Sequence, residues 1–422
     1  MHKKQTLLLP ILICAVAASF YIYDYILRVM PQAMALQLMR DFHMHSSGLG
    51  VLASLFFWGY APMQIPVGIL FDKYSARKLL TLTFFLSSLA TLGFALTESF
   101  TFAAATRFIM GVTTSFSFVG ALVVGANWFR GQQFAFYTGL VQFLGCAGAI
   151  AGITPVVILT RDLGWRPASV WIALLGFVLT ALMWIAVRDV PKKEIKRPRK
   201  RILTKQPSSY RIAFLNPQTW WVGLYGFAIW GPVTVLGALW GVPFLHTVYN
   251  LTELDAGFHI SIIWVTIAFG GPIVGWLSNH FKRRRLPMII CATIGAISSF
   301  TIIHRADLSP LELDLFLILF GIGASGLVLA FGLVVDLQPP QTVGAVIGFT
   351  NMAVITGGLI LQPAVGFILK NQWAGKLIKN IPYYSHDAYE LALLMMPVTF
   401  LVALFAACFI RETHCERLHR YH

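Results

Sequence analysis

Residues 20–31, F-Y-I-Y-D-Y-I-L-R-V-M-P, set one acid and one base into an otherwise apolar run. Tyr21, Asp24, Tyr25 and Arg28 fall at i, i+3, i+4 and i+7, so on a helix they share one face. Asp24 and Arg28 can pair at i, i+4, which lowers the penalty of placing either in an apolar setting. Such a stripe offers a carboxylate that can take and release a proton. Beside it stands a guanidinium that grips another carboxylate through two parallel N–H groups. A second reading makes the pair structural, with Arg28 reaching outward along its aliphatic stem. The functional reading needs a wet cavity for the stripe to face.

The elements around this stripe follow from composition. The chain of 422 residues is 57% hydrophobic and 12% charged, with a mean hydropathy of +0.72. Soluble domains carry about 25% charged residues. Apolar surface on this scale needs lipid as its solvent, and a crossing helix needs about 20 apolar residues. Twelve spans are predicted near 7–36, 47–70, 79–97, 101–126, 133–158, 165–187, 218–245, 257–278, 287–303, 310–335, 342–369 and 389–410. The first is not expected to be a cleaved leader, because its apolar run passes the length of an h-region and continues into Tyr25 and Pro31 without a small-residue cleavage site. With the N-terminus on the cytoplasmic side, loops on that side hold 23 Lys and Arg and the opposite loops hold seven. The positive-inside rule therefore puts both termini in the cytoplasm. This asymmetry also explains the net charge of +15 without a nucleic-acid partner. The run K-K-E-I-K-R-P-R-K-R at 192–201 reads as a topogenic linker facing anionic lipid. Cys14, Cys146, Cys291, Cys408 and Cys415 show no metal-ligand spacing, and neither a metal site nor a cofactor is expected.

Two charged breaks repeat. Residues 68–78, G-I-L-F-D-K-Y-S-A-R-K, align with 275–285, G-W-L-S-N-H-F-K-R-R-R, at an offset of 207. Asn127 before Gly139 and Asp336 before Gly348 agree at an offset of 209. Two six-helix parts of like topology follow, residues 1–187 and 218–410, joined by the basic linker 188–217 and followed by a tail, 411–422.

Gly68-x-x-x-Asp72-Lys73-x-Ser75-x-Arg77-Lys78 resembles the loop 2–3 signature of the major facilitator superfamily. Arg107-x-x-x-Gly111 in span 4 and Gly164-Trp165-Arg166 before span 6 support the resemblance, which covers essentially the whole chain. Ser75 departs from it, standing where the family usually has Gly. The resemblance implies an all-α membrane protein of twelve helices working by alternating access, with no enzymatic activity. It implies that Gly68, Asp72 and Arg77 form a gate made and broken as the two parts rock. Asn279 in the second copy lacks the carboxylate, so the first copy is expected to be the stronger latch.

Within the spans, Asp24 is the candidate proton-coupling group. Arg28 and Arg107 are candidate anion receptors, since both are guanidinium groups at membrane depth. Polar and aromatic residues that could complete a substrate site are Tyr21, Tyr25, Tyr60, Gln64, Tyr137, Gln142, Tyr225, Trp230 and Asn351. Gly321-x-Gly323-x-x-Gly326 matches a dinucleotide fingerprint but lacks its acidic partner, and reads as close helix packing. The first-span stretch, with G-V-L-A-S-L-F-F-W-G-Y-A-P-M-Q-I-P-V-G, looks like a bacterial uptake branch. Its similarity extends to importers of polycarboxylate, rhizoferrin-type siderophores and to lysosomal carriers of small peptides. The expectation is proton-coupled symport of a small organic anion such as such a siderophore, by a monomer in a bacterial inner membrane. A peptide or amino acid remains the alternative. Drug efflux is disfavoured, because span 5 lacks the Gly-Pro pairing of the antiporter motif.

Overall fold

The computed structural model describes residues 8–129, 132–188, 214–339 and 342–416. It is built from twelve long helices: α1 (Leu8–Ala33), α2 (Ser46–Lys73), α3 (Ala76–Leu96), α4 (Phe100–Trp128), α5 (Gln132–Leu163), α6 (Trp165–Ala186), α7 (Pro217–Val248), α8 (Glu253–His280), α9 (Arg285–His304), α10 (Pro310–Leu337), α11 (Val343–Asn371) and α12 (His386–Phe409). Eleven of these are long and apolar enough to cross a membrane. The remaining helix, α2, has 28 residues and includes Tyr60, Gln64 and Lys73. Predicted and observed spans agree within a few residues. The basic linker 188–217 and the end of the tail lie largely outside the described residues.

Local chemistry sets the helix starts. The side chains of Ser75, Ser99, Thr252 and Ser385 each accept a backbone N–H of the first turn. Ser309 and Glu312 form a reciprocal capping box at α10. Ser75, the departure from the family signature, thus has its own role, accepting from Lys78 N at 3.2 Å. Leu82, Phe85, Trp171, Trp184, Phe269 and Trp276 are exposed, as a lipid-facing surface requires.

Packing pairs recur with an offset of six helices. In the first bundle α1 packs on α5, α2 on α4 and α3 on α6; in the second α7 packs on α11, α8 on α10 and α9 on α12. The bundles meet along α2 with α11 and α5 with α8. Glycines permit the closest approaches. A Cβ on Gly148 would lie 2.4 Å from Ile22 O of α1, and one on Gly323 would lie 2.6 Å from Gly295 Cα of α9. The G-x-G-x-x-G of α10 is therefore helix packing.

The interface between the bundles is sealed at one end. There Ser46 N donates to Tyr384 Oη at 2.9 Å and Ser46 Oγ to Gly366 O at 2.8 Å. Thr154 and Ser261 hydroxyls meet at 3.0 Å between α5 and α8. At the opposite end, which carries the charged breaks, a Cβ on Gly68, Gly139, Gly344 or Gly348 would meet nothing within 4 Å. A cavity of about 480 Å³ lies there between α5, α8 and α10, with Gln142 and Trp230 in its wall and Asn279 and Arg284 toward its rim.

Candidate functional site

The first-helix stripe folds as its spacing predicts. Arg28 Nη2 donates to Asp24 Oδ2 at 3.1 Å and to Oδ1 at 3.3 Å, and Ser117 Oγ of α4 donates to Oδ2 at 3.0 Å. Asp24 is fully buried, so two donors and a counter-charge replace its water. The Arg28 guanidinium carbon lies 4.4 Å from the Tyr25 ring centre and 4.9 Å from that of Tyr60. Both are within cation–π range. Among the described residues its Nε has no hydrogen-bond partner, and both bonds to Asp24 come from one terminal nitrogen. Arg28 thus keeps donor capacity for a second anion.

Several predicted residues gather around this pair. Tyr21 Oη donates to Gln142 Oε1 at 3.3 Å, which ties the stripe to the cavity wall. Tyr25 packs edge-on against Trp264 at 5.6 Å, and Trp264 in turn on Trp230 at 6.1 Å. Asn351 Nδ2 of α11 donates to Gln64 Oε1 of α2 at 2.8 Å, joining two predicted amides across the interface.

Three predicted site residues do not join them. Tyr137 Oη donates to Cys14 O and Ala121 O at 3.2 and 3.1 Å, and its ring fills the space beside Gly125. Tyr225 Oη donates to Met288 O at 3.4 Å, deep between α7 and α9. Both hydroxyls serve helix packing. Arg107 is fully buried, donates Nη1 to Leu27 O at 2.7 Å, and leaves Nε and Nη2 without partners among the described residues. The Phe56 ring centre lies 5.7 Å from the Arg28 guanidinium carbon and 5.1 Å from that of Arg107. Both guanidinium groups are buried, and neither lines the cavity of about 480 Å³.

The charged breaks differ between the copies. In the first, Arg77 stacks over Trp184 at 4.1 Å, Gly68 faces open space, and the side chain of Asp72 lies outside the described residues. In the second, Asn279 is no carboxylate, yet Arg284 Nε finds one in Asp336 Oδ2 at 3.0 Å. Acid and amide have exchanged places: Asp72 with Asn127 in one copy, Asn279 with Asp336 in the other. The expectation of a weak second latch overlooked this exchange. Thr413 Oγ1 adds a bond to Asp336 Oδ2 at 3.0 Å. Removing one partner of a buried pair costs about 3–5 kcal/mol. Asp336→Asn should therefore lower the unfolding temperature of the detergent-solubilised protein, and adding Asn279→Asp should recover part of the loss.

The tail clamps the same corner. Glu412 Oε1 accepts from Arg284 N, Thr413 N and His414 N, and Oε2 accepts from Arg285 N, at 2.8–3.1 Å. Partial burial alone would raise this carboxyl, but the four backbone donors outweigh it and hold it below the usual glutamate range. A depressed value makes the clamp fully present above the unfolded value near about pH 4.3 and lost as pH falls through the folded one. At neutral pH, Glu412→Gln exchanges a charged acceptor for a neutral one, a difference of about 1 kcal/mol. The amides of residues 284, 285, 413 and 414 should then exchange hydrogen about fivefold faster.

Comparison with known proteins agrees with this architecture. Residues 11–363 match the profile described as Major Facilitator Superfamily. The chain is 22% identical over 377 residues to the protein named "Uncharacterized transporter YybO" of Bacillus subtilis (strain 168), covering 84% of this chain and 86% of that protein. It is 23% identical over 375 residues to "Probable galactarate/D-glucarate transporter GudP" of Escherichia coli (strain K12), covering 79% and 81%. Among solved structures, a bacterial homolog of the human lysosomal transporter Spinster, inward-facing and unoccupied, superposes with a TM-score of 0.77 at 16% identity over 95% of this chain and 96% of that one. A mutant of the nucleoside transporter NupG gives 0.72 at 13% identity, over 94% and 99%.

Proposed function

Because this chain belongs to the major facilitator superfamily, and so is a membrane transporter with no enzymatic role, we propose that it takes up a small organic anion together with a proton. The observation that carries this reading is the Asp24–Arg28 pair. Arg28 is held by a carboxylate of the protein while keeping an unpartnered Nε, and aromatic rings flank it on two sides. A substrate carboxylate competes with Asp24 for this guanidinium. When it wins, Asp24 keeps Ser117, takes a proton, and becomes neutral. When the proton leaves, Asp24 reclaims Arg28 and displaces the anion. Substrate and proton thus bind and leave together.

The charge asymmetry of the loops supports a cytoplasmic position for the open end, and on this reading the conformation faces inward. The two six-helix parts, 1–187 and 218–410, rock about Arg28, with Gly68, Asp72 and Arg77 closing the cytoplasmic end in the opposite state. A monomer in a bacterial inner membrane suffices for this cycle.

Relatives named as galactarate/D-glucarate and anion transporters support carboxylates as the class. Aldarates and polycarboxylate siderophores are the two sizes to test, and Gln142, Trp230, Gln64 and Asn351 would contact the parts beyond the carboxylate. Proteoliposomes loaded with alkaline buffer and offered labelled D-glucarate or a rhizoferrin-type siderophore in acidic buffer should accumulate one of them. Stabilisation and uptake by dipeptides alone, with no response to any carboxylate, would favour the alternative in which Asp24 and Arg28 bind the two termini of a peptide.

A further inference from the structure

The sealed end contains a stretch that no feature of the transport cycle above requires. Helix α7 is α-helical over Pro217–Pro232, π-helical over Val233–Trp240, and α-helical again over Gly241–Val248. A π turn takes in an extra residue, so the segment beyond it sits one residue out of α register. Reverting to α geometry would rotate Gly241–Val248 by about 100° and shift it by about 1.5 Å.

Side chains from three other helices bond this widened stretch. Gln32 of α1, in the other bundle, donates Nε2 to Gly237 O at 2.7 Å. Trp264 of α8 donates Nε1 to the same carbonyl at 3.0 Å. Gln362 of α11 donates Nε2 to Thr234 O at 2.8 Å, while its own carbonyl accepts Trp240 Nε1 at 3.1 Å. That same carbonyl would lie 2.7 Å from a Cβ on Gly50 of α2, so the stretch is built into the seam where α2 meets α11. Gln32 and Gln362 are fully buried, and the Oε1 of each has no hydrogen-bond partner among the described residues. The amide orientations are set by demand, since reversing either would aim an oxygen at a carbonyl oxygen. The sealed arrangement therefore holds two unsatisfied acceptors that water would satisfy once the end opens.

We infer that the π turn of α7 is the clasp of the sealed end, closed by Gln32 from the opposite bundle and by Trp264, and that freeing Gly237 O opens that end. Gln32 and Trp264 are positioning residues. The clasp also reaches the proposed ligand site, because Trp264 packs on Tyr25, whose ring flanks Arg28. A ligand on Arg28 that moves Tyr25 thereby acts on the carbonyl that Gln32 holds. The clasp itself does not depend on what the substrate is.

The test is a distance measurement on the full-length protein in liposomes without ligand. Spin labels go on His43→Cys and Lys379→Cys, exposed positions at the sealed end of the first and second bundles, in a background with the five native cysteines replaced by alanine. Gln32→Leu and Trp264→Phe should each raise the long-distance population about threefold to tenfold, the span expected for one interhelix hydrogen bond. Each single variant leaves Gly237 O one donor, so the double variant, which frees it, should exceed either single effect. Gln37→Leu is the control: Gln37 donates to Thr160 O at 2.8 Å within the first bundle, and its loss should leave the distances unchanged. Unchanged distances in folded Gln32→Leu would overturn the inference, as would an equal shift in Gln37→Leu. If Gln32→Leu does not fold, Trp264→Phe, which keeps the aromatic body, decides by the same criterion.

Discussion

Arg28→Gln is expected to weaken ligand binding about 100-fold and to reduce uptake to background. Each hydrogen bond to a charged group contributes about 1.5–3 kcal/mol, so losing a two-pronged grip exceeds the 1.4 kcal/mol per decade twice over. Arg28→Lys should fall between, near tenfold, because an ammonium keeps the charge and loses the planar fork. Arg28→Gln also strands Asp24, a fully buried carboxylate left with neutral hydroxyl donors such as Ser117. Breaking such a pair costs about 3–5 kcal/mol of stability. The double variant Arg28→Gln with Asp24→Asn removes that charge, and should regain thermal stability without regaining binding. Ligand-induced thermal shifts on the four proteins separate the two effects. Wild-type affinity in Arg28→Gln would move the anion site elsewhere.

Asp24→Asn is expected to disconnect transport from the proton gradient. One coupled proton and a pH difference of one unit supply about 1.4 kcal/mol, a tenfold accumulation of substrate. With asparagine at 24 the accumulation ratio should fall to about one, while exchange of labelled for unlabelled substrate continues. Arg28 would then lack its internal competitor, so affinity should rise or hold. Proteoliposome uptake with and without the gradient, alongside counterflow, reads both quantities. Full gradient-driven accumulation in Asp24→Asn would remove it from proton coupling and return the pair to a structural role.

The site was legible where a single helix carries it. Tyr21, Asp24, Tyr25 and Arg28 come together because a 3.6-residue period brings them together, whatever surrounds the helix. Gln32 was legible by the same rule, lying four residues beyond Arg28 on the same stripe, and the sequence reading passed over it. Ser117 was less so: one hydroxyl among many in α4 becomes an Asp24 ligand only through the packing of α4 on α1. The case of Tyr137 and Tyr225 runs the other way. In sequence they match Tyr25 and Tyr60 in type and depth, and only the packed helices direct their hydroxyls to backbone carbonyls.

The exchange of Asp72 and Asn127 for Asn279 and Asp336 shows the same division. Both landmarks were visible as repeats, but the partner of Arg284 required knowing that the end of α10 reaches the loop between α8 and α9. The clamp by Glu412 likewise joins residues 128 positions apart.

The sequence by itself determined the solvent, the number and limits of the helices, the six-helix offset of the repeat, and the acid–base pair of α1. These are properties of composition and of contacts within one turn or two, where spacing along the chain is spacing in space. Tertiary structure alone decided which end is sealed, that Arg28 and Arg107 both pack on the Phe56 ring, and that α7 widens to a π turn. Each of these depends on which side chains of distant helices compete for one carbonyl, one ring face or one gap beside a glycine. Such competition has no period along the chain for a reader to find.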